Sequence, residues 1–459
     1  MQTSTEHFFD IPSAYSSPTT LQGIFSSPEK NCTMLVTVGG MTYDVVMWGV
    51  DNQKPYKMKR AVENNSVMSQ NKHFNVLTCY GRGLEYMDLS TRKDKKPQPT
   101  GEPDIMRFFM KNSMKRFFAE QVTDMKMYNF CVAVVILNRG RDRIVRVVHK
   151  DACHVRFEVP DAYGRVNHIL YADWQDDSSP GQVEVVPVLA ENDPLCDLLA
   201  RTGKEKDVLN EFHRSPVSET KFAIICRMPN LANDLYPTPP WMGALNDGWY
   251  DIYNFLTKAK LAKIKNGQNI RYHVEINTDF WKARAQEKGV QINTPEYVKM
   301  KSDFIDQLKD HLSGSRNSDK LIWSEFDSML SGDEKHYIKI NVVDTSKAGS
   351  EYNDDVAEAA NVLCYDDNVH PNLAGASPGK SQMNNSGSDK RELFTMKQAL
   401  ETMPHDMMMV LHNTIICFND WADKVYPDVP MIMLTTLDKN TDAVQVSTNN
   451  EGQAYGTEK

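Results

Sequence analysis

Apolar residues along the chain gather in short runs divided by turn-forming clusters, and the spacing inside each run sets the element it predicts. Met34 to Val38 and Met41 to Met47 read as two strands around Gly39-Gly40, a hairpin turn. Helical stretches follow at about 55–64 and 68–80, then a polar, proline-containing loop over 88–102. Residues 103–124 predict one helix, with Asp104 near its start and Phe108, Phe109, Phe117 and Phe118 as apolar bulk. Arg107, Lys111 and Lys115 recur along it as a polar, solvated stripe. Tyr128–Leu137, Ile144–His149, His154–Val159, Val166–Trp174 and Val183–Leu189 are rich in Val, Ile and aromatics. Turn clusters such as Asn138-Arg139-Gly140 and Ser178-Ser179-Pro180-Gly181 separate them, which predicts an antiparallel meander. A last strand, Phe222–Arg227, leads to the proline-rich Tyr236-Pro237-Thr238-Pro239-Pro240-Trp241, which halts helix and sheet alike.

The pattern then changes. Residues 243–265 predict a helix whose Phe255, Leu256, Leu261 and Ile264 are spread around it, while Lys258, Lys260, Lys263 and Lys265 share no face. Such a helix belongs between several neighbours, and Asn266-Gly267 stops it. A small α/β unit follows: strand 269–276, helix 295–312, and strands 320–324 and 336–343. Ser350–Tyr365 is helical, 366–390 is a loop rich in Gly, Ser and Asn, and helix resumes over 391–402, after which Pro404 interrupts or kinks a pattern that continues to about 423. One β-like segment, Met431–Leu437, marks the tail, and residues 1–30 form an arm rich in Ser, Thr and Pro.

Composition narrows the function classes. The 459 residues are 41% hydrophobic and 25% charged, an ordinary soluble balance. Lys and Arg total 52 against 61 Asp and Glu, a net charge of −9, which argues against a polybasic nucleic-acid gripper. Eight cysteines include no CxxC pair, no basic-then-apolar leader opens the chain, and the longest apolar run, Cys131 to Leu137, is too short to span a membrane.

Few motifs carry chemistry. Gly375-Ala376-Ser377-Pro378-Gly379-Lys380-Ser381 resembles the end of a phosphate-binding loop, but three residues separate its glycines where four are needed, and it follows a helix and polar loop instead of a buried strand. Cys153-His154 lies in strand context with side chains on opposite faces, a poor metal pair. His405 and His412 read as core or interface residues, and Asp354-Asp355 and Asp366-Asp367 as solvated helix ends. No catalytic constellation, metal site or cofactor site emerges, so no enzyme activity is expected.

Several strings, in order, resemble phage portal proteins, above all portal-like proteins of Bacteroidetes phages and prophages. They are Trp48-Gly49 with Asp51-Asn52 and Pro55; Tyr80-Gly81-Arg82-Gly83; Tyr171-Ala172-Asp173-Trp174; Tyr236 to Trp241; and Val369-His370-Pro371-Asn372-Leu373-Ala374-Gly375 followed by Ser386-Gly387-Ser388-Asp389-Lys390-Arg391-Glu392. The resemblance implies an α+β subunit made of a β-rich wing (31–242), a stem helix (243–267), a small α/β clip (268–345), a second stem helix and turn (346–373), a tunnel loop (374–389) and a long wing helix (390–423). The arm, 1–30, precedes these parts, and 424–459 would be a C-terminal tail or a reduced crown.

By that resemblance the protein forms a dodecameric ring at one capsid vertex, through which double-stranded DNA is packaged and ejected. Lys380, Ser381, Gln382, Asn384, Asn385, Lys390 and Arg391 would face the DNA. Trp323 and Phe326 would dock partners at the clip, unless they form the clip's own core. Implied partners are the terminase large subunit, a head–tail adaptor and the major capsid or scaffolding protein, with no membrane. The location would be the virion, with host cytoplasm during assembly. Two other readings remain open: a nucleotide-dependent enzyme using Gly379-Lys380-Ser381, which ATP binding lost in Lys380→Ala would support, and a non-portal virion scaffold.

Overall fold

The computed structural model describes residues 32–93, 97–175, 182–204, 217–231, 234–267, 270–313, 320–326, 337–342, 352–374, 387–430 and 432. The described residues divide into two compact units, one formed by those up to Pro240 with 372–374 and those from Gly387 onwards, the other by those from Trp241 to Pro371.

In the first unit, β1 (Thr33–Val38) and β2 (Met41–Val46) turn at Gly39 and Gly40, whose φ angles of 60° and 86° suit glycine. Helices α1 (Lys54–Glu63) and α2 (Ser66–Tyr80) follow, α2 being capped by Asn65, whose side chain accepts from the amides of Val67 and Met68. After β3 (Glu85–Asp88), the expected helix over 103–124 is two, α3 (Pro103–Lys111) and α4 (Met114–Tyr128). Ser113 breaks them at φ 48°, and Asn112 secures the break by donating to the Phe108 carbonyl at 2.9 Å and accepting from the Val147 amide at 3.1 Å. Phe108 and Phe117 thereby reach the same core from separate helices.

The β block is antiparallel but is not one meander. Strands β4 (Phe130–Leu137), β5 (Ile144–Lys150), β6 (Val155–Glu158), β7 (His168–Tyr171), β8 (Glu184–Pro187) and β9 (Lys221–Arg227) divide between two sheets, ordered β1-β2-β6-β7-β8 and β5-β4-β9. Central β4 is buried along nearly its whole length, so its unbroken apolar run carries no face signal. Helix α5 (Pro194–Thr202), which the apolar spacing did not predict, precedes β9; its buried Asp197 pairs with Arg201 at 3.0 Å.

The second unit starts with α6 (Gly243–Asn246) and α7 (Trp249–Gly267), divided at Gly248 with φ 87°, so the expected helix from 243 is interrupted. Then come β10 (Ile270–Asn277), α8 (Thr278–Lys288), α9 (Pro295–Ser313), β11 (Lys320–Phe326), β12 (Ile338–Val342) and α10 (Asn353–Asp366). The sheet order is β11-β10-β12, with β10 parallel to β11 and antiparallel to β12. A parallel pair needs a crossover, which α8 and α9 supply; α8 had not been expected.

A short turn of helix, α11 (Pro371–Ala374), precedes the remaining elements, α12 (Gly387–Ala399), α13 (Thr402–Phe418) and β13 (Val425–Asp428). The long helix expected over 390–423 is therefore two. Of the two expectations for Pro404, interruption holds and a kink does not: the break falls just before it, and it sits in the first turn of α13, where its missing N–H costs nothing. β13 pairs with β3, a strand the sequence pattern did not show, while the β-like 431–437 lies outside the described residues apart from Ile432.

Two packed centres hold the first unit. One joins Phe118, Val122, Met125, Cys131, Val135, Phe222, Ile224, Leu411 and Ile415 from α4, β4, β9 and α13. The other is aromatic: Trp48 stacks on Tyr236 with centroids 4.7 Å apart, and Tyr236 on Phe157 at 5.0 Å. The Tyr236 hydroxyl donates to the Val46 carbonyl at 2.8 Å and accepts from the Phe157 amide at 3.0 Å, tying β2 to β6. Arg156 is fully buried between the Trp48 and Trp174 rings, 5.6 Å from each. Its guanidinium donates to the Cys153 and Val155 carbonyls at 2.8 Å and to the Asn52 carbonyl at 3.0 Å, and also to the Asn52 side chain.

Candidate functional site

Helices α7 and α10 pack along each other in the second unit. The contact face of α10 is small: Ala359 and Ala360 are fully buried beside Val356 and Leu363, which lets helix axes approach closely. Lys260 of α7 hydrogen-bonds Asn353 at the start of α10, and Tyr253 is the buried aromatic of α7.

The opposite side of α7 is unusual for a solvated helix. Asp251, Ile252, Phe255, Lys258, Leu261, Ala262 and Lys265 are all exposed, and their three- and four-residue spacing puts them on one broad face. Phe255 is 71% exposed and Leu261 52%. On α10, Asp354, Glu358, Asn361, Val362 and Tyr365 line a shallow open cleft, and Tyr365 is 83% exposed. One face thus carries apolar residues with two lysines and, at its N-terminal end, Asp251; the other carries apolar residues with acids. The two are complementary in charge and chemistry, and each is unfilled within its own chain among the described residues.

Asp354 and Asp355 lie in the first turn of α10, as their helix-end reading expected. The other end is not solvated as expected: Asp367 is buried and Asp366 half-buried, and burial, then the nearby Asp247 and Asp367 carboxylates, push the Asp366 carboxyl above its usual range. Among the described residues no cluster of three or more ligand-type side chains could hold a metal ion.

The three-stranded sheet and its crossover helices enclose their own core, in which Val274, Ile276, Trp281, Ala285, Tyr297, Met300 and Ile305 are buried. Trp281, on the unexpected α8, is fully buried and meets Phe304 edge-on at 5.5 Å. Trp323 is outside that core. It sits on edge strand β11 opposite Val274 and is 39% exposed. Ile340 flanks Val274 on the other edge strand and is also exposed. Phe326 ends β11 opposite Asn277; its side chain lies outside the described residues.

Lys380, Ser381, Gln382, Asn384 and Asn385, with the Gly379-Lys380-Ser381 motif, also lie outside the described residues. Lys390 and Arg391 are half-buried at the start of α12, beside Asp389. His405, half-buried, and His412 lie in the packed interior, as their core reading expected. His405 hydrogen-bonds the Cys79 carbonyl at 2.6 Å. His412 is fully buried, with its Nε2 3.2 Å from Gln121 Oε1 and the Tyr86 hydroxyl 3.4 Å from its Nδ1, and burial lowers its pKa to about 3. Cys153 and His154 occupy a one-turn 3₁₀ segment, not a strand; Cys153 is buried and His154 Nδ1 lies 3.2 Å from the Tyr56 hydroxyl.

No protein-family model matches the sequence, and no curated protein does. Solved structures share the fold. A chain of the "Virion of native gene transfer agent (GTA) particle" superposes with TM-score 0.51 at 12% identity, covering 82% of this chain and 83% of that one. A chain of the "Neck of empty GTA particle computed with C6 symmetry" gives 0.53 at 13% identity, covering 86% and 91%. A chain of the "Neck of native GTA particle computed with C12 symmetry" gives 0.51 at 14% identity, covering 84% and 86%. The chain therefore has the α+β fold of a virion neck component along most of its length.

Proposed function

We propose that the protein is a structural subunit of a head–tail connector, and more narrowly a portal subunit: a closed ring, twelvefold by the resemblance, at one capsid vertex, through which double-stranded DNA passes. The observation that carries this reading is the fold shared over more than four-fifths of both chains with neck components of a particle solved with C6 and C12 symmetry. The exposed faces of α7 and α10 support it, because a ring puts unlike faces of neighbouring copies together at every interface. In this reading 374–389 is the tunnel loop, and α7 with α10 is the stem. The sheet bearing Trp323 is the clip, which docks the terminase large subunit and a head–tail adaptor, while the wing meets the major capsid or scaffolding protein. The protein does no chemistry of its own and needs no cofactor. It resides in the virion and assembles in the host cytoplasm.

Electron microscopy of the purified protein tests the reading. Rings with a central hole are expected, and a monomer that persists under assembly conditions would overturn it. Trp323→Ala should weaken adaptor docking to assembled rings without preventing their formation.

A further inference from the structure

The first unit carries an arginine-rich hairpin that the connector reading does not use. Strands β4 and β5 join through Asn138-Arg139-Gly140-Arg141-Asp142-Arg143, and Arg146 follows on β5. Four arginines thus fall within eight residues of a chain whose net charge is −9. Arg139, Arg143 and Arg146 are exposed, and none of the three makes an ion pair among the described residues. Arg141 turns back and donates to the Val217 carbonyl.

The one acid of the turn is engaged locally. The Asn138 side chain donates to Asp142 at 2.6 Å and holds its carboxyl below the usual range, while Asn138 Oδ1 accepts from the Asp142 amide at 3.2 Å. The tip is therefore a fixed scaffold, with Asp142 and Arg141 anchored and Arg139, Arg143 and Arg146 exposed.

The neighbouring side chains narrow the partner. Leu137, Ile144 and Val147, which flank the arginines, are buried. A protein–protein interface takes its energy from a buried apolar or aromatic centre ringed by polar groups. Ile136 and Val145 are half-buried, and among the described residues no exposed aromatic or large apolar side chain stands beside the arginines on the hairpin, which suits a ligand held by charge. Guanidinium forks match phosphate oxygens in pairs.

We infer that the β4–β5 hairpin is a docking surface for the phosphate backbone of double-stranded nucleic acid, read without base specificity. It operates in a single chain and does not need the ring.

The test uses the full-length protein and a short fluorescein-labelled DNA duplex, with affinity followed by anisotropy as salt is raised. Each phosphate neutralised adds about 0.9 to the slope of log K against log salt, so three arginines contribute about 2.7, or about 40-fold in affinity between 50 and 200 mM salt. The combined Arg139→Gln, Arg143→Gln and Arg146→Gln variant should lose that share of the slope and bind at least tenfold more weakly at low salt. Its thermal melt should match the wild type, since all three side chains are exposed. An unchanged slope in the variant, or no salt-dependent duplex binding by the wild type, would overturn the inference. Arginine-dependent binding to polyglutamate in place of duplex would overturn it too, and would assign the hairpin to an acidic protein. Ring formation is scored separately by microscopy, so loss of rings with arginine-dependent duplex binding intact would refute the connector reading alone.

Discussion

Replacing Phe255 by Asp separates assembly from folding. Phe255 is 71% exposed in the single chain, so it contributes little to the stability of its own fold. A phenylalanine buries about 200 Å² when fully covered, which leaves about 140 Å² for a neighbour to cover. At about 25 cal/mol per Å² that is about 3.5 kcal/mol per interface, or about 300-fold in the association constant. Aspartate adds the cost of desolvating a charge, and it would face the acidic side of the α10 cleft, Asp354 and Glu358, in the neighbour. A closed ring repeats the loss at every interface. Phe255→Asp should therefore sediment as a monomer at concentrations where the wild type forms rings, with an unchanged thermal melt. Rings at wild-type concentrations would refute the assignment of this face, and a collapsed melt would show that Phe255 serves the fold instead.

Arg156→Met should cost about 3–5 kcal/mol in urea unfolding, because the Asn52, Cys153 and Val155 carbonyls lose their buried donor; a loss under about 1 kcal/mol would mean the guanidinium's desolvation cancels its bonds. His412 should make the protein acid-labile. Its folded pKa is depressed to about 3, below the unfolded value near 6.5, so the stability it contributes is complete above 6.5 and declines as pH falls towards 3. His412→Gln should flatten that limb of the stability–pH curve, and an identical slope would assign the acid loss to other groups. Lys380→Ala should alter DNA packaging or retention more than ring assembly; failed rings with normal packaging in those that remain would refute the tunnel-loop assignment.

Three of the five strings that resembled a portal meet in space. Trp48 and Asn52, from one string, and Trp174, from another, enclose Arg156, and Tyr236 from a third stacks on Trp48. They were legible because a buried aromatic knot admits few alternatives in size and hydrogen bonding. The element pattern was legible for the same reason wherever one face is buried, as in β1 and β2. It failed where tertiary contacts decide. Nothing in the local spacing shows that Asn112 will bond Val147 and split α3 from α4. In α8, Trp281 and Ala285 are the buried positions among polar ones, too sparse a signal to mark a helix. The candidate ring face was half legible. The scatter of apolar residues on 243–265 implied several neighbours, yet which of them the chain leaves uncovered depends on where α10 packs.

Charge places opposite demands on the two proposed DNA contacts. A conduit must let DNA move. In the proposed ring each subunit adds a net charge of −9, and of the three cations read as facing DNA, Lys390 and Arg391 are half-buried at the start of α12, so Lys380 is left for a contact that breaks as readily as it forms. Three exposed arginines on one hairpin do the reverse, since every added phosphate contact multiplies affinity and slows release. A surface of that kind holds DNA and cannot line a path along which DNA slides freely. If both contacts operate, the hairpin engages DNA that is at rest, and its loss should change how firmly DNA is retained while leaving the rate of passage through the ring unchanged. A faster passage in the arginine variant would put the hairpin on the moving path and contradict this division.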